Sequence, residues 1–350
     1  MEQISCSASQ SSSERTFVEP LQPPAELAVD WSCDWIPLSL SDPVVEHITQ
    51  NYWSQPVGAW EAVRFSKAVY LYREMGSGYA VIAKFYQPKT GASAQKHAHQ
   101  EMRYIEQVRA AGLSGEGGRA IRALGTWRGI LFLEYVEGLT LADVIAVRQS
   151  RPGSLMASLT HVAGLLARLH TAGEQSDARS DFEPALGETL EYVAELVAHG
   201  VLNDEPTVAD GLRRLIERWG ERPAMACFTP ALVHGDATTT NFVFPGQDGV
   251  VVIDWERLHT ADPAFDLGRL AAELVHSVRR QGGRGAETAF LVRHFLQSYH
   301  QASPADGDAD ELNERVCFYQ ASSLLRIARN GWVPLLERMA LVAQAMALLA

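Results

Sequence analysis

Asp236, Asn241 and Asp254 fall in one short stretch that reads Val-His-Gly-Asp at 233–236 and Val-Val-Val-Ile-Asp at 250–254. Four residues separate the first aspartate from the asparagine, and the second aspartate comes thirteen positions after it. Phosphoryl transfer to a hydroxyl calls for such a set: a carboxylate that receives the proton, plus an amide and a second carboxylate that hold the magnesium bridging the nucleotide phosphates. Each fragment alone is weak, because Asp and Asn also cap turns and tolerate left-handed backbone. In this order, and joined by a strand-turn-strand pattern (Phe242 to Phe244, Pro-Gly-Gln-Asp-Gly, Val250 to Ile253), they point together to phosphoryl-transfer chemistry. The run Thr238-Thr239-Thr240 between them either lends hydroxyls near the phosphoryl group or caps the turn.

Such a set has to be held by elements upstream and downstream. Residues 1–25 are rich in Ser, Pro and Glu and are expected to form a disordered tail. Residues 26–58, with Trp31, Trp35, Ile36 and Trp53, read as an irregular N-terminal extension. From Ala59 the pattern predicts strands over Trp60–Arg64, Ala68–Arg73 and Tyr79–Tyr86, joined by short links as in a hairpin meander. A helix is expected over Ala94–Ala111, with Met102, Ile105 and Val108 at helical spacing and Gly112 as its stop. Strands return at Arg119–Thr126 and Ile130–Tyr135, and beyond Gly138 the chain reads as mainly helical. The expectation is an α+β, two-lobe fold: a small antiparallel-sheet N-lobe with one helix over 59–137, and a larger, mainly helical C-lobe over 138–350 with the catalytic loop and acceptor site.

The N-lobe supplies candidate nucleotide contacts. Lys84 ends the apolar run Val81-Ile82-Ala83, where a lysine needs solvent or an anion; it could reach the α- and β-phosphates of ATP, with a helix glutamate fixing it. Glu101, near the helix start, is preferred for that over Glu106. Leu131 to Gly138 reads as strand and hinge, with backbone around Glu134 and Val136 placed to meet the adenine edge. A glycine-rich phosphate loop is absent. The first hairpin reads Arg64-Phe65-Ser66-Lys67-Ala68, and its backbone at Ser66 and Ala68 is open either to phosphates or to solvent.

Composition narrows the partners. A net charge of −12 argues against nucleic acid, which needs a basic surface. The longest apolar stretch, Met339–Ala350, is too short to span a bilayer, and the N-terminus lacks the pattern of a signal peptide. Four cysteines (Cys6, Cys33, Cys227, Cys317) without metal or disulfide spacing fit a reducing, cytoplasmic location. Residues 171–211 carry ten acids against one base, Arg179, which would suit a cationic acceptor; a solvated helix face explains the run as well. Arg326, Arg329 and Arg338 raise the opposite idea of an anionic acceptor, or are helix-surface arginines.

These motifs resemble the aminoglycoside phosphotransferase and choline kinase superfamily, the kinase-like phosphotransferase enzyme family. His234-Gly235-Asp236 with Asn241 is similar to its catalytic loop, Ile253-Asp254-Trp255-Glu256 to its metal-binding motif, and Asp262-Pro263-Ala264-Phe265-Asp266-Leu267 to its following signature. Leu166-Ala167-Arg168-Leu169-His170 looks like the helix before the substrate segment. The resemblance covers roughly residues 60–350. It implies a protein-kinase-like fold and transfer of the γ-phosphate of ATP, with Mg2+, to a hydroxyl of a small molecule, aminoglycoside-like or another amine or sugar. It makes Asp236 the base, Asn241 and Asp254 the metal ligands, and His234 and Asp266 structural supports of the loop. Glycine at 235 and the seven residues between Asp254 and Asp262 leave no arginine and no activation segment for a protein substrate. The alternative is a catalytically idle nucleotide-binding or scaffold protein of the same fold.

Overall fold

A computed structural model describes residues 35–55, 58–87, 91–115, 117–172, 182–202, 206–226, 228–246, 249–303 and 309–350. The expected tail over 1–25 lies outside the described residues, as do Trp31, Cys6, Cys33, Cys227 and the acids Glu174, Asp177, Asp181, Asp204 and Glu205. Two compact units divide the chain: one runs through Met102 and adds Ala123–Tyr135, and the other comprises Arg103–Arg122 and Val136–Ala350.

The first unit is built on one antiparallel sheet. In chain order its elements are β1 (Ile36–Leu38), α1 (Pro43–Asn51), β2 (Trp60–Ser66), β3 (Val69–Glu74), β4 (Ala80–Phe85) and the start of α2 (Gly91–Ala110). Past β5 (Arg119–Ala120), which belongs to the second unit, β6 (Ala123–Trp127) and β7 (Ile130–Glu134) complete the sheet in the order β1-β2-β3-β4-β7-β6. Ala62, Tyr70, Tyr72, Val81, Ala83 and Phe132 bury into one core, alternating along their strands with residues of the other face.

The segment read as an irregular extension has regular structure where it is described. Asp42 caps α1 by accepting from Val44 N (2.8 Å) and Val45 N (3.1 Å), and Pro43 occupies the first helical position, where its missing N–H costs nothing. Val44, Val45 and Ile48, at helical spacing, then bury against Trp60 and the sheet. A second difference concerns Arg119–Thr126, expected as one strand. Its halves belong to different sheets: β5 pairs parallel with β11 (Val251–Val252), whereas β6 pairs with β7. Strand propensity alone carries no mark of where a chain changes sheets.

In the second unit, short strands frame the loop of interest. β9 (Ala231–Val233) pairs with β12 (His259–Ala261), and β10 (Phe242–Phe244) lies between β11 and β8 (Leu139–Thr140). The remainder is helical: α3 (Leu141–Ala146), α4 (Pro152–Thr171), α5 (Glu183–Ala198), α6 (Pro206–Trp219), α7 (Pro223–Ala226), α8 (Ala264–Arg280), α9 (Gly285–Ala302), α10 (Ala309–Ala328) and α11 (Leu335–Leu349). α8 packs on α10, and α10 on α11. The first contact needs Gly268, since a Cβ there would sit 2.5 Å from the Tyr319 Cβ and 2.6 Å from the Gln320 amide.

Ile48 is fully buried between α1 and the sheet. Ile48→Ala should therefore destabilise the first unit by about 2–5 kcal/mol, read as a lowered urea midpoint at an unchanged slope. An unchanged midpoint would mean that α1 is not integral to that core.

Candidate active site

In the first unit, Lys84 of β4 pairs with α2. The buried stripe of α2 runs Ala94, Ala98, Glu101, Ile105, Val108, which puts a carboxylate where helical spacing otherwise places apolar side chains, while Glu106 is exposed. Lys84 Nζ lies 2.8 Å from Glu101 Oε2, and the Tyr86 hydroxyl donates to the same oxygen. A buried carboxylate is tolerable only when paired and hydrogen-bonded in this way. Ser66 is exposed at the end of β2, where Arg64 Nε donates to its carbonyl (3.0 Å) and Arg64 Nη2 to that of Lys67 (3.2 Å), tying the hairpin tip. Glu134 ends β7 opposite Val81, and Val136 opens the second unit directly after Tyr135.

In the second unit, the His234-Gly235-Asp236 loop leaves β9 and is gripped through its backbone. Asp266, fully buried in the first turn of α8, accepts from His234 N (2.6 Å) and Gly235 N (3.0 Å), and pairs with His170 Nε2 (3.3 Å). Gly235 has φ +80, and a Cβ there would run into the Arg257 carbonyl oxygen, so only glycine fits. Backbone geometry thus excludes an arginine from position 235.

His234 is held by two defined bonds. Its Nδ1 accepts from Asp236 N (3.2 Å), which leaves Nε2 to donate to Ile253 O (3.0 Å). Asn241 is oriented by the same logic. Its Nδ2 donates to the Asp236 carbonyl at 2.9 Å, so Oδ1 points elsewhere and makes no hydrogen bond to protein among the described residues. Thr238 N closes the turn onto Asp236 O at 2.7 Å, and Thr238 Oγ1 lies 3.1 Å from Thr240 Oγ1. Asp254, just past β11, has φ +65, a left-handed conformation that Asp adopts more readily than most side chains and that collects at functional positions.

α8 contributes more than Asp266. Arg269, buried, donates from Nη1 to Gly235 O (2.7 Å) and to Asp236 Oδ1 (2.9 Å). One turn further, Glu273 pairs with Arg326 of α10 at 2.6 Å. Asp266, Arg269 and Glu273 therefore form a charged stripe at i, i+3 and i+7 along an otherwise apolar face. The sequence reading missed Arg269 and Glu273, although that spacing was visible in it. Arg329 is committed to Glu195 at 2.8 Å, and Arg338 is buried and donates to Ala328 O (2.5 Å) and Arg329 O (3.2 Å). The three arginines considered for an anionic acceptor thus already have protein partners.

The model of the phosphotransferase enzyme family matches residues 64–308. The chain belongs to this family. It is accordingly an enzyme of the phosphotransferase type. One relative, the viomycin phosphotransferase of Streptomyces vinaceus, is 30% identical over 205 residues, covering 54% of this chain and 69% of that protein. Among solved structures, the choline kinase LicA from Streptococcus pneumoniae superposes with a TM-score of 0.52 at 16% identity, covering 87% of this chain and 97% of its own. The gentamicin–APH(2″)-IIa complex gives a TM-score of 0.54 at 15% identity, covering 89% and 96%. These likenesses speak for the fold: protein-kinase-like, with an antiparallel-sheet N-terminal region and a helical C-terminal region. No described helix of this phosphotransferase is long and apolar enough to cross a membrane.

Burial alone would push the Asp266 carboxyl up, but the hydrogen bond and charge of His170, with His234, outweigh it and hold it below the ordinary carboxylate range. A depressed native value contributes stability above the unfolded value of about 3.9, lost as pH falls through the native one. Asp266→Asn should be less stable at pH 7 by about 1–3 kcal/mol, because a buried acceptor for two amides is weakened. The gap between the two proteins in urea unfolding should narrow below pH ~3.9, as wild-type Asp266 protonates. A pH-independent gap would mean that Asp266 acts through shape alone.

Proposed function

We propose that this phosphotransferase moves the γ-phosphate of ATP, with magnesium, to a hydroxyl of a small molecule bearing amines or sugar rings. The observation that carries the proposal is the state of Asp236. Its backbone and one carboxylate oxygen are held by the protein, while Oδ2 has no hydrogen-bond partner among the described residues. Its side chain keeps 22% of its surface exposed, so Oδ2 is the oxygen available to receive the proton of an acceptor hydroxyl.

The remaining roles follow from donor chemistry. Asn241 Oδ1, turned away by the bond from Nδ2, and the Asp254 carboxylate are the hard oxygen donors that Mg2+ prefers. Bound there, the ion would neutralise charge on the phosphates. Lys84, steadied by Glu101, is the cation for the α- and β-phosphates; backbone at Glu134 and Val136 serves the adenine edge, and that of Ser66 the phosphates. His234 and Asp266 hold the loop in shape.

A cationic acceptor has support from α5. Glu183, Glu188 and Glu191 are exposed on it, and they give that helix a negative field. The likeness to viomycin phosphotransferase adds viomycin to the compounds worth testing beside aminoglycosides, choline-type amines and free sugars.

ATP and GTP consumption should be followed with magnesium across that panel, for wild type and Asp236→Asn. At least one acceptor is expected to be phosphorylated, with turnover lower by about 10²–10⁴-fold in Asp236→Asn and nucleotide affinity nearly unchanged. Equal turnover by both proteins would remove Asp236 as the base. Silence of wild type across the panel, with nucleotide bound, would remove this acceptor class.

A further inference from the structure

The geometry points to Arg269 as the positioning residue that aims the Asp236 carboxylate at the acceptor, an inference that rests on Asp236 being the base. Arg269 lies one turn after Asp266 on the same face of α8, and the two side chains grip the loop with opposite polarity. Asp266 accepts the two amide protons of His234 and Gly235, while Arg269 Nη1 donates to the next carbonyl, Gly235 O (2.7 Å), and to Asp236 Oδ1 (2.9 Å). A single guanidinium nitrogen therefore ties the side chain of Asp236 to its own preceding peptide.

That tie has a geometric consequence. A carboxylate on a loop turns about its last torsion, which is broad and presents either oxygen. With Oδ1 engaged by Arg269, the plane is set and Oδ2 alone remains open. The choice of oxygen and its direction are then fixed before the acceptor arrives, which is the preorganisation that proton transfer and in-line attack require.

The placement is not what loop folding alone would need. Asp266 already satisfies both amides, and the Gly235 carbonyl could be met by a neutral donor. Instead the chain buries a guanidinium to 3% exposure. It lies 4.7 Å from the Phe265 ring centroid, with Nε lacking any hydrogen-bond partner among the described residues. A buried charge with an unsatisfied donor is costly unless a nearby opposite charge uses it, and Asp236 is the carboxylate it touches. The positive charge of Arg326 nearby adds to that cost, and the negative charge of Asp236 is the largest that offsets it.

Arg269→Met keeps the apolar stem and removes the donor; Arg269→Lys keeps a charge that reaches from the same position. Both variants and Asp236→Asn should be compared in steady-state kinetics with MgATP and the acceptor of the above panel that turns over fastest, or water where none does, together with thermal unfolding. Arg269→Met is expected to lower kcat by about 10²-fold, with KM for nucleotide and acceptor within about threefold of wild type. Arg269→Lys is expected to recover about tenfold of that loss. A kcat for Arg269→Met within about threefold of wild type would overturn the inference. So would equal loss in both variants with raised KM and a lowered unfolding midpoint, which marks a purely structural arginine. If Arg269→Met does not fold, Arg269→Gln takes its place under the same criteria. Wild-type turnover in Asp236→Asn would instead bring down the assignment of Asp236 itself, whatever Arg269 does.

Discussion

The buried carboxylate of Asp266 is the constraint on which the rest of the candidate site depends. A fully buried anion survives only if its lone pairs are met, and here they are met by two consecutive amides of the loop and by His170. The loop therefore cannot relax without exposing that charge to an apolar interior. Everything downstream inherits this: Gly235 must be glycine to turn there, His234 must bridge back to Ile253, and Asp236 must leave the loop at a defined point.

From that anchor, the polar groups are arranged by side chains that orient one another. Asn241 bonds the Asp236 carbonyl and so commits its amide hydrogen end, freeing the oxygen end. Arg269 commits one oxygen of Asp236 and leaves the other. In both, one hydrogen bond decides which atom of a two-ended group is left open. The helices supply the stiffness: α8 delivers Asp266 and Arg269 from consecutive turns, and its close approach to α10 at Gly268 fixes where those turns lie.

The same principle governs Lys84 in the first unit. Its partner, Glu101, occupies a buried position on α2, so the pair costs desolvation that the Tyr86 hydroxyl and the lysine offset. Such a pair adds little to stability compared with an apolar filling of the same space. What it gains is an ammonium group held at one place.

Much of the fold and of the candidate set was legible in the chain. The spacing of Asp236, Asn241 and Asp254, the lysine at the end of an apolar strand, and the alternation of strands with one long helix follow from periodicity and from the short list of residues that bind phosphate and metal. Glu101, preferred over Glu106 for its place near the helix start, is also the one that period 3.6 puts on the stripe with Ala98 and Ile105. What the sequence did not carry was partnership between residues distant along the chain. Arg119–Ala120 and Ala123–Trp127 read as one strand until their partners, β11 and β7, assign them to different sheets. Helix α1 read as irregular because its apolar stripe is short and gains meaning only against the sheet. The arginines at 326, 329 and 338 read either as a cluster for an anionic acceptor or as helix-surface arginines until Glu273, Glu195 and backbone carbonyls are seen to occupy them. Sequence by itself determined which groups are present and at what local spacing, since that chemistry is covalent and short-range. Tertiary structure alone decided which oxygen of Asp236 stays open, because that choice is made by Arg269, which comes from a helix 33 residues further along the chain.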